Sequence, residues 1–254
     1  FTAYCGFEIN EGEYKLMGMH PYGEPRFVDE IYKLLHVGED GSLWQDMEYF
    51  QYHHSTNDTL SEAFEKHFGK PRRNPKEGDK SLDPYYCDMA ASIQRVTEEI
   101  LLKMVVHLKE VTGLDKLCLA GGVALNSVAN YKIMRDGPFS DVYIHPAPGD
   151  DGCAAGAAYW AYNHLLDQPR GPALEHAYLG SEHTDQSIQD FLETNDIPYK
   201  KIDDDEEFFD FVAKALEGGQ VCGWMRGRME WGPRALGSRS IIAAVCAVRD
   251  RGAR

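Results

Sequence analysis

A chain of 254 residues, 43% of them apolar, suffices for one large domain or two ordinary ones and for a sizeable buried core. Its formal charge of −15 excludes a general nucleic-acid binder, because neutralising phosphates requires a basic face. No apolar run approaches the ~20 residues that cross a bilayer, and no charged-then-apolar leader is evident, so neither a membrane span nor a signal peptide is expected. Six cysteines (Cys5, Cys87, Cys118, Cys153, Cys222 and Cys246) stand apart with no CxxC pair. That spacing fits scattered buried thiols in a reducing cytoplasm better than structural zinc or a disulfide framework. The sequence opens on Phe1, which leads us to expect an excised or processed segment of a longer product.

Along the chain, residues 1–25 are rich in glycine and aromatics and carry EGEYKLMGMHPYGEP, Glu11 to Pro25. A helix is expected around Phe27–Leu35. Polar, aromatic and turn residues then alternate from Gly38 to Pro84, and Lys70–Pro84 reads as an exposed loop by its Pro, Gly and charge content. From Tyr85 to Thr112 the apolar residues Met89, Ile93, Val96, Ile100, Met104 and Leu108 recur at helical spacing, and Gly113 supplies a stop. A short strand over Lys116–Ala120 leads into a Gly-Gly turn and a helix from about Asn126. A buried strand at Asp141–His145 runs into PAPGDDG and a third helix, Gly152–Leu166. Helix and strand in this alternation predict an α/β layer fold. Beyond a linker with Pro169, Gly171 and Pro172, helices are expected near Asp185 and over Asp205–Leu216. A strand over Gln220–Trp224 precedes a segment rich in Gly and Arg, Arg226–Arg239.

Three segments carry chemistry. In LAGGVALN, Leu119–Asn126, two glycines after a strand let a ligand approach the backbone and the following helix offers N–H groups; a plain tight connection is the alternative. Asn126 is placed to hydrogen-bond a ribose or base. In PAPGDDG, Asp150 and Asp151 lie where a strand gives way to a helix, fit either to hold a cation or bound water or simply to cap the helix. The small residues of CAAGAAYWA that follow imply close packing against a neighbour. In GRMEWGPRALGSRS, Gly227–Ser240, arginines interleaved with glycines suit phosphate oxygens. From Val221 onward seven arginines face only Glu230 and Asp250, a local balance of +5 that leaves −20 on the rest. An arginine cluster in an acidic chain suggests a small anionic ligand.

Together EGEYKLMGMHPYGEP, LAGGVALNSVAN, PAPGDDGCAAGAA and GRMEWGPRALGSRS resemble, in this order, the O-carbamoyltransferases of nodulation-factor and antibiotic biosynthesis, over residues 1 to about 243. The resemblance implies an actin- and sugar-kinase-like fold of ribonuclease-H-like halves followed by a YrdC-like α+β domain. Residues 1–168 would be the C-terminal half of the actin-like domain, 169–184 a linker and 185–254 the start of the YrdC-like domain. It further implies that carbamoyl phosphate and ATP give carbamoyl-adenylate and pyrophosphate, and that the carbamoyl group passes to a hydroxyl of a small acceptor with the help of a metal, usually iron. On that analogy Gly121, Gly122 and Asn126 hold the nucleotide, Lys15 and Gly23 line the same cleft, Asp150 is a metal ligand supported by Asp151, and Arg228, Arg234 and Arg239 serve carbamoyl phosphate and ATP.

The sequence departs from the family in two places. No HxxxH-like pair is present, His53 and His54 being adjacent, so the histidine ligands are expected upstream of Phe1; and AAVCAVRDRGAR after Ile242 does not read as the family's continuation. This polypeptide is therefore expected to hold half of one site and the edge of another, and to be inactive alone. A small-molecule kinase of the same superfamily and a non-catalytic nucleotide-binding module are the competing readings. The arginine segment favours carbamoyl transfer over the kinase, which has no use for a second anion site, and metal content would set the module apart.

Overall fold

A computed structural model of the protein describes residues 1–56, 58–74 and 82–244; the tail after Ala244, with Cys246, and residues 75–81 of the expected loop lie outside the described residues. The chain is α/β with small sheets. It divides into two compact units, Phe1–His145 and the residues from Pro146 onward.

The first unit is organised on one long helix. Its elements are α1 (Glu13–Met19) with a 3-10 turn at His20–Tyr22, α2 (Val28–Tyr32), β1 (Leu35–Val37), β2 (Leu43–Gln45), α3 (Glu62–Phe68), α4 (Pro84–Thr112), β3 (Lys116–Leu119), a 3-10 turn at Gly122–Leu125, α5 (Ser127–Asp136) and β4 (Asp141–Ile144). The ends of α4 follow from local chemistry. Asp83 caps it by accepting the N–H of Tyr85, Pro84 starts it with its φ already helical, and Gly113 closes it at φ +65°. At 29 residues α4 is roughly 43 Å long and serves two cores. Met89, Ala90, Val96 and Ile100 face Tyr4, Ile31, Leu34, Phe64 and Phe68 in the larger core. Val105 faces Leu117, Ile133 and Phe139 in the smaller one.

Aromatic edges fill the larger core. Tyr4 lies 5.1 Å from Phe64 and 5.7 Å from Tyr86, both edge-on, and its buried hydroxyl is satisfied by donating to the carbonyl of Lys70 at 2.7 Å. The smaller core lies beneath a parallel pair, β3 and β4, in register from Lys116↔Asp141 to Leu119↔Ile144 and joined through α5. Parallel strands require such a crossover, so the Gly-Gly turn falls at the carboxyl end of β3.

The second unit contains a 3-10 turn at Asp150–Gly152, α6 (Cys153–Trp160) continued by a π turn at Ala161–Leu165, α7 (Asp185–Thr194), α8 (Asp205–Glu217), β5 (Val221–Met225) and β6 (Arg239–Ala243). β5 and β6 form an antiparallel hairpin, Val221↔Ala243 to Met225↔Arg239. Asp204 caps α8 by accepting the N–H of Glu207 at 2.8 Å, and the acidic first turn complements the helix dipole. Phe208 and Phe209 of α8 then pack on Trp224 of β5, at 5.7 and 6.5 Å between ring centroids.

Several expectations are corrected. The helix expected to Leu35 ends at Tyr32, because Leu35 turns into the β1–β2 hairpin. α1, β1, β2, α3 and β6 were not foreseen. Met104 and Leu108 are exposed although they continue the apolar spacing of α4: the buried face shifts to Val105 as the helix passes from the larger core to the smaller. β4 is not buried, since Asp141 and Tyr143 are exposed on its outer face. No residue of α6 is buried, and a Cβ added at Gly156 would meet nothing within 4 Å, so its small face makes no close packing among the described residues. Of the cysteines, Cys5 and Cys87 are buried while Cys118 and Cys153 are exposed.

Candidate functional site

In the first unit α4 brings the first two motifs together. The chain leaving the 3-10 turn passes so close to α4 that a Cβ on Gly23 would stand 2.1 Å from the carbonyl carbon and oxygen of Cys87. Beside it Asp88, only 3% exposed, accepts the N–H of Glu24 at 2.7 Å and pairs with Arg26. Gly23 is thus a packing residue against α4. Lys15 is exposed on α1, its ammonium 5.7 Å from the ring centroid of Tyr14. Near this segment the Ser127 hydroxyl reaches Met17 Sδ at 3.8 Å, joining α1 to the start of α5.

Asn126 is the N-cap of α5. Its Oδ1 accepts the N–H of Ala129 at 3.1 Å, and its amide pairs reciprocally with Gln94 of α4, at 2.9 and 3.2 Å. Gln94 is buried and also donates to Glu98 at 2.9 Å, while Asn130 donates to the carbonyl of Ala124 at 2.7 Å. Both ends of the Asn126 side chain are therefore committed within the protein. The glycines differ: Gly121 (φ +99°) and Gly122 are exposed, and a Cβ on either would meet nothing within 4 Å. What the turn offers a ligand is open backbone.

In the second unit the last two motifs abut. Gly232, at φ +114°, passes so close to Pro146 that a Cβ would stand 2.2 Å from the Pro146 carbonyl oxygen. Asp150 and Asp151 are exposed in their 3-10 turn; Gly149 and Gly152 occupy the cap positions, and neither aspartate makes a capping bond. Capping therefore does not explain the pair. Among the described residues no three His, Cys, Asp or Glu side chains converge on a point that could hold a metal. These residues do not by themselves fit a metal ion.

The arginine segment links β5 to β6. Its backbone is tied to residues 177–181 through Gly180 N–H to the Met229 carbonyl (2.9 Å), Met229 N–H to the Ser181 carbonyl (2.9 Å) and Trp231 N–H to the Ala177 carbonyl (2.6 Å). Arg228 donates to the carbonyls of Gly180 (3.0 Å) and Leu179 (3.4 Å). Arg239 donates to those of Arg226 (3.2 Å), Ser238 (2.8 Å) and Gly227 (3.1 Å). A guanidinium has five N–H donors, so each keeps part of its fork for a further acceptor. Arg234 is half-buried in the same segment. Glu230 Oε1 accepts three backbone N–H groups, from Leu236 (3.0 Å), Ser238 (2.6 Å) and Arg239 (3.1 Å). Partial burial pushes this carboxyl upward, but its own N–H and those three together outweigh that and hold its pKa at about 2.

Sequence reasoning missed Asp88, Gln94 and Glu230. The signal was present: Asp88 and Gln94 are polar residues interleaved with Cys87, Met89, Ala90, Ala91 and Ile93 on α4, and Glu230 is the sole acid between Arg226 and Arg239.

With this geometry in place, comparison with known proteins decides the family. A model of the carbamoyltransferase N-terminus matches residues 1–159, and one of the carbamoyltransferase C-terminus matches residues 213–251. The chain belongs to the carbamoyltransferase family. It is 45% identical over 251 residues to an uncharacterized protein of Synechocystis, across 95% of this chain and 40% of that one. It is 34% identical to nodulation protein NolNO of Sinorhizobium fredii, across 94% of this chain and 33% of NolNO. Identity to the 3'-hydroxymethylcephem-O-carbamoyltransferase of Streptomyces clavuligerus is 30%, across 65% of this chain and 30% of that enzyme. The chain thus spans 40% or less of the length of these relatives. No helix among the described residues is long and apolar enough to cross a membrane.

Proposed function

We propose that this chain is part of an ATP-dependent O-carbamoyltransferase of the cytoplasm, with an actin-like half followed by the start of a YrdC-like domain. Water would displace phosphate from the carbamoyl carbon of carbamoyl phosphate, and an oxygen of the resulting carbamate would displace pyrophosphate from the α-phosphate of ATP, giving carbamoyl-adenylate. The carbamoyl group would then pass to the hydroxyl of a small sugar-like or antibiotic-like acceptor, with AMP as the leaving group. The observation that carries this reading is the match of both carbamoyltransferase models, N- and C-terminal, to one chain.

Each residue set has a part that its geometry suits. The open backbone at Gly121–Gly122 lets a nucleotide approach closely, while Gln94 and Asn126 fix the turn from behind. The guanidiniums of Arg228, Arg234 and Arg239 supply charge and donor forks for phosphate oxygens, and charge of this kind stabilises a leaving phosphate or pyrophosphate. Asp150 is the carboxylate this chain would lend to a metal such as iron, alongside ligands from outside the described residues, which build no metal site of their own.

Gly122 offers a clean test, because a Cβ added there would meet nothing within 4 Å. Calorimetric titration of ATP should show binding to the wild-type chain and a loss on the order of tenfold or more in Gly122→Val, without a change in thermal stability. Carbamoyl-phosphate-dependent pyrophosphate release by the active protein would complete the case. Unaltered ATP affinity in Gly122→Val would remove the nucleotide from the Gly-Gly turn.

A further inference from the structure

We propose that Glu230 is a positioning residue that fixes the arginine loop for an anionic substrate. The proposal rests on the carbamoyl-phosphate reading above for the identity of that anion. A single carboxylate oxygen gathers the N–H groups of Leu236, Ser238 and Arg239, converging donors of the kind that otherwise cradle a bound anion. The protein fills this cradle with its own side chain and so closes residues 230–239 into a ring. The base of the ring is set by the hairpin register Met225↔Arg239 and by Arg226 N–H to the Ser238 carbonyl at 2.9 Å. Arg239, whose N–H is one of the three gathered by Glu230, reaches across to the carbonyls of Arg226 and Gly227. Arg234 belongs to the closed segment, standing in sequence between Glu230 and the residues whose N–H groups it gathers. Holding the ring therefore fixes where Arg234 and Arg239 stand relative to each other. Carbamoyl phosphate, a dianion with three phosphoryl oxygens, is the substrate such a pair of forks would orient.

Charge and position make opposite predictions here, which separates them. Glu230 is the sole acid among Arg226, Arg228, Arg234 and Arg239, so charge alone predicts that removing it tightens anion binding. Positioning predicts the reverse. Carbamoyl phosphate and, separately, inorganic pyrophosphate would be titrated by calorimetry into wild type, Glu230→Ala and Glu230→Gln, with near-ultraviolet circular dichroism checking the fold. Glu230→Ala should weaken binding on the order of tenfold, and Glu230→Gln, whose amide oxygen still accepts the three N–H groups, should recover most of it. Wild type that binds pyrophosphate but not carbamoyl phosphate, with the same dependence on Glu230, would sustain the positioning role and remove the proposed substrate. Carbamoyl phosphate binding that is unchanged or tighter in Glu230→Ala would overturn the positioning role and leave the substrate standing. A loss that only tracks the unfolded fraction in both variants, or no anion binding by any of the three proteins, would also overturn it.

Discussion

At the scale of single residues, the Gln94–Asn126 pair changes what a substitution means. Asn126→Ala removes a helix cap and leaves the buried Gln94 amide without its partner. Together these should cost about 2–3 kcal/mol, the cap about 1 and the stranded amide the remainder. Asn126→Ser keeps a capping oxygen and should cost less; urea denaturation giving equal losses for the two would show that the cap contributes nothing. Loss of nucleotide binding in Asn126→Ala would thus report the shape of the turn before it reports a lost ligand contact. Glu230 carries a pH signature. Its folded pKa of about 2 lies below the ordinary 4.5, so its contribution to stability is complete above about pH 4.5 and is lost as pH falls toward 2. Denaturation at pH 7 and pH 3 should show wild type losing more stability than Glu230→Gln. Neither role was legible in the sequence, because a buried polar residue declares its partner only when the second helix or the far side of a loop is in place.

Elements were legible where local chemistry and burial agree. α4 could be read to within a residue because Asp83, Pro84 and Gly113 mark its ends and its apolar spacing is helical. β1, β2 and α3 could not, since elements of three to seven residues carry too short a pattern to read, and β1 and α3 draw their stability from the core around Phe64. β6 was hidden for a different reason: its first residue, Arg239, belongs to the arginine motif, so the strand start was read as loop. Of the site, the four motifs were found, and the meeting of the first two on α4 was not, because that contact lies in the packing at Gly23 and Cys87. Two glycines only five positions apart show the difference. Gly18 lies inside α1 with nothing within 4 Å of an added Cβ, so Gly18→Ala should stabilise by about 0.5–1 kcal/mol. Gly23→Ala must push α1 and its 3-10 turn off α4 and should destabilise by about 1–3 kcal/mol or more. Chemical denaturation of both variants checks this; equal effects would refute the close approach.

Across the whole molecule the two units are unequal in what they bury. The larger core holds Tyr4, Ile31, Leu34, Phe64, Met89 and Val96 at full or nearly full burial, all in the first unit. Among the described residues from Pro146 onward the buried ones are small: Ala147, Pro148, Ala177 and Ser238. Helices α7 and α8 bury no residue fully; Ile188, Leu192, Val212 and Leu216 are half-buried, and the helices add their caps, Thr184 and Asp204, and the Phe208–Trp224 and Phe209–Trp224 contacts. Burying an apolar side chain contributes roughly 1.5–3 kcal/mol, whereas a cap contributes about 1. Local opening should therefore be far easier in the second unit than along α4. Hydrogen exchange read by mass spectrometry should find the amides of Met89–Ile100 the slowest in the chain, and those of α7 and α8 faster by on the order of a hundredfold or more. Equal protection in the two units would mean that the arginine loop is held by more than the hydrogen bonds and ring contacts described. If the difference is found, saturating carbamoyl phosphate should slow exchange selectively over residues 226–240, because a ligand that bridges Arg234 and Arg239 stabilises only the closed form of that loop.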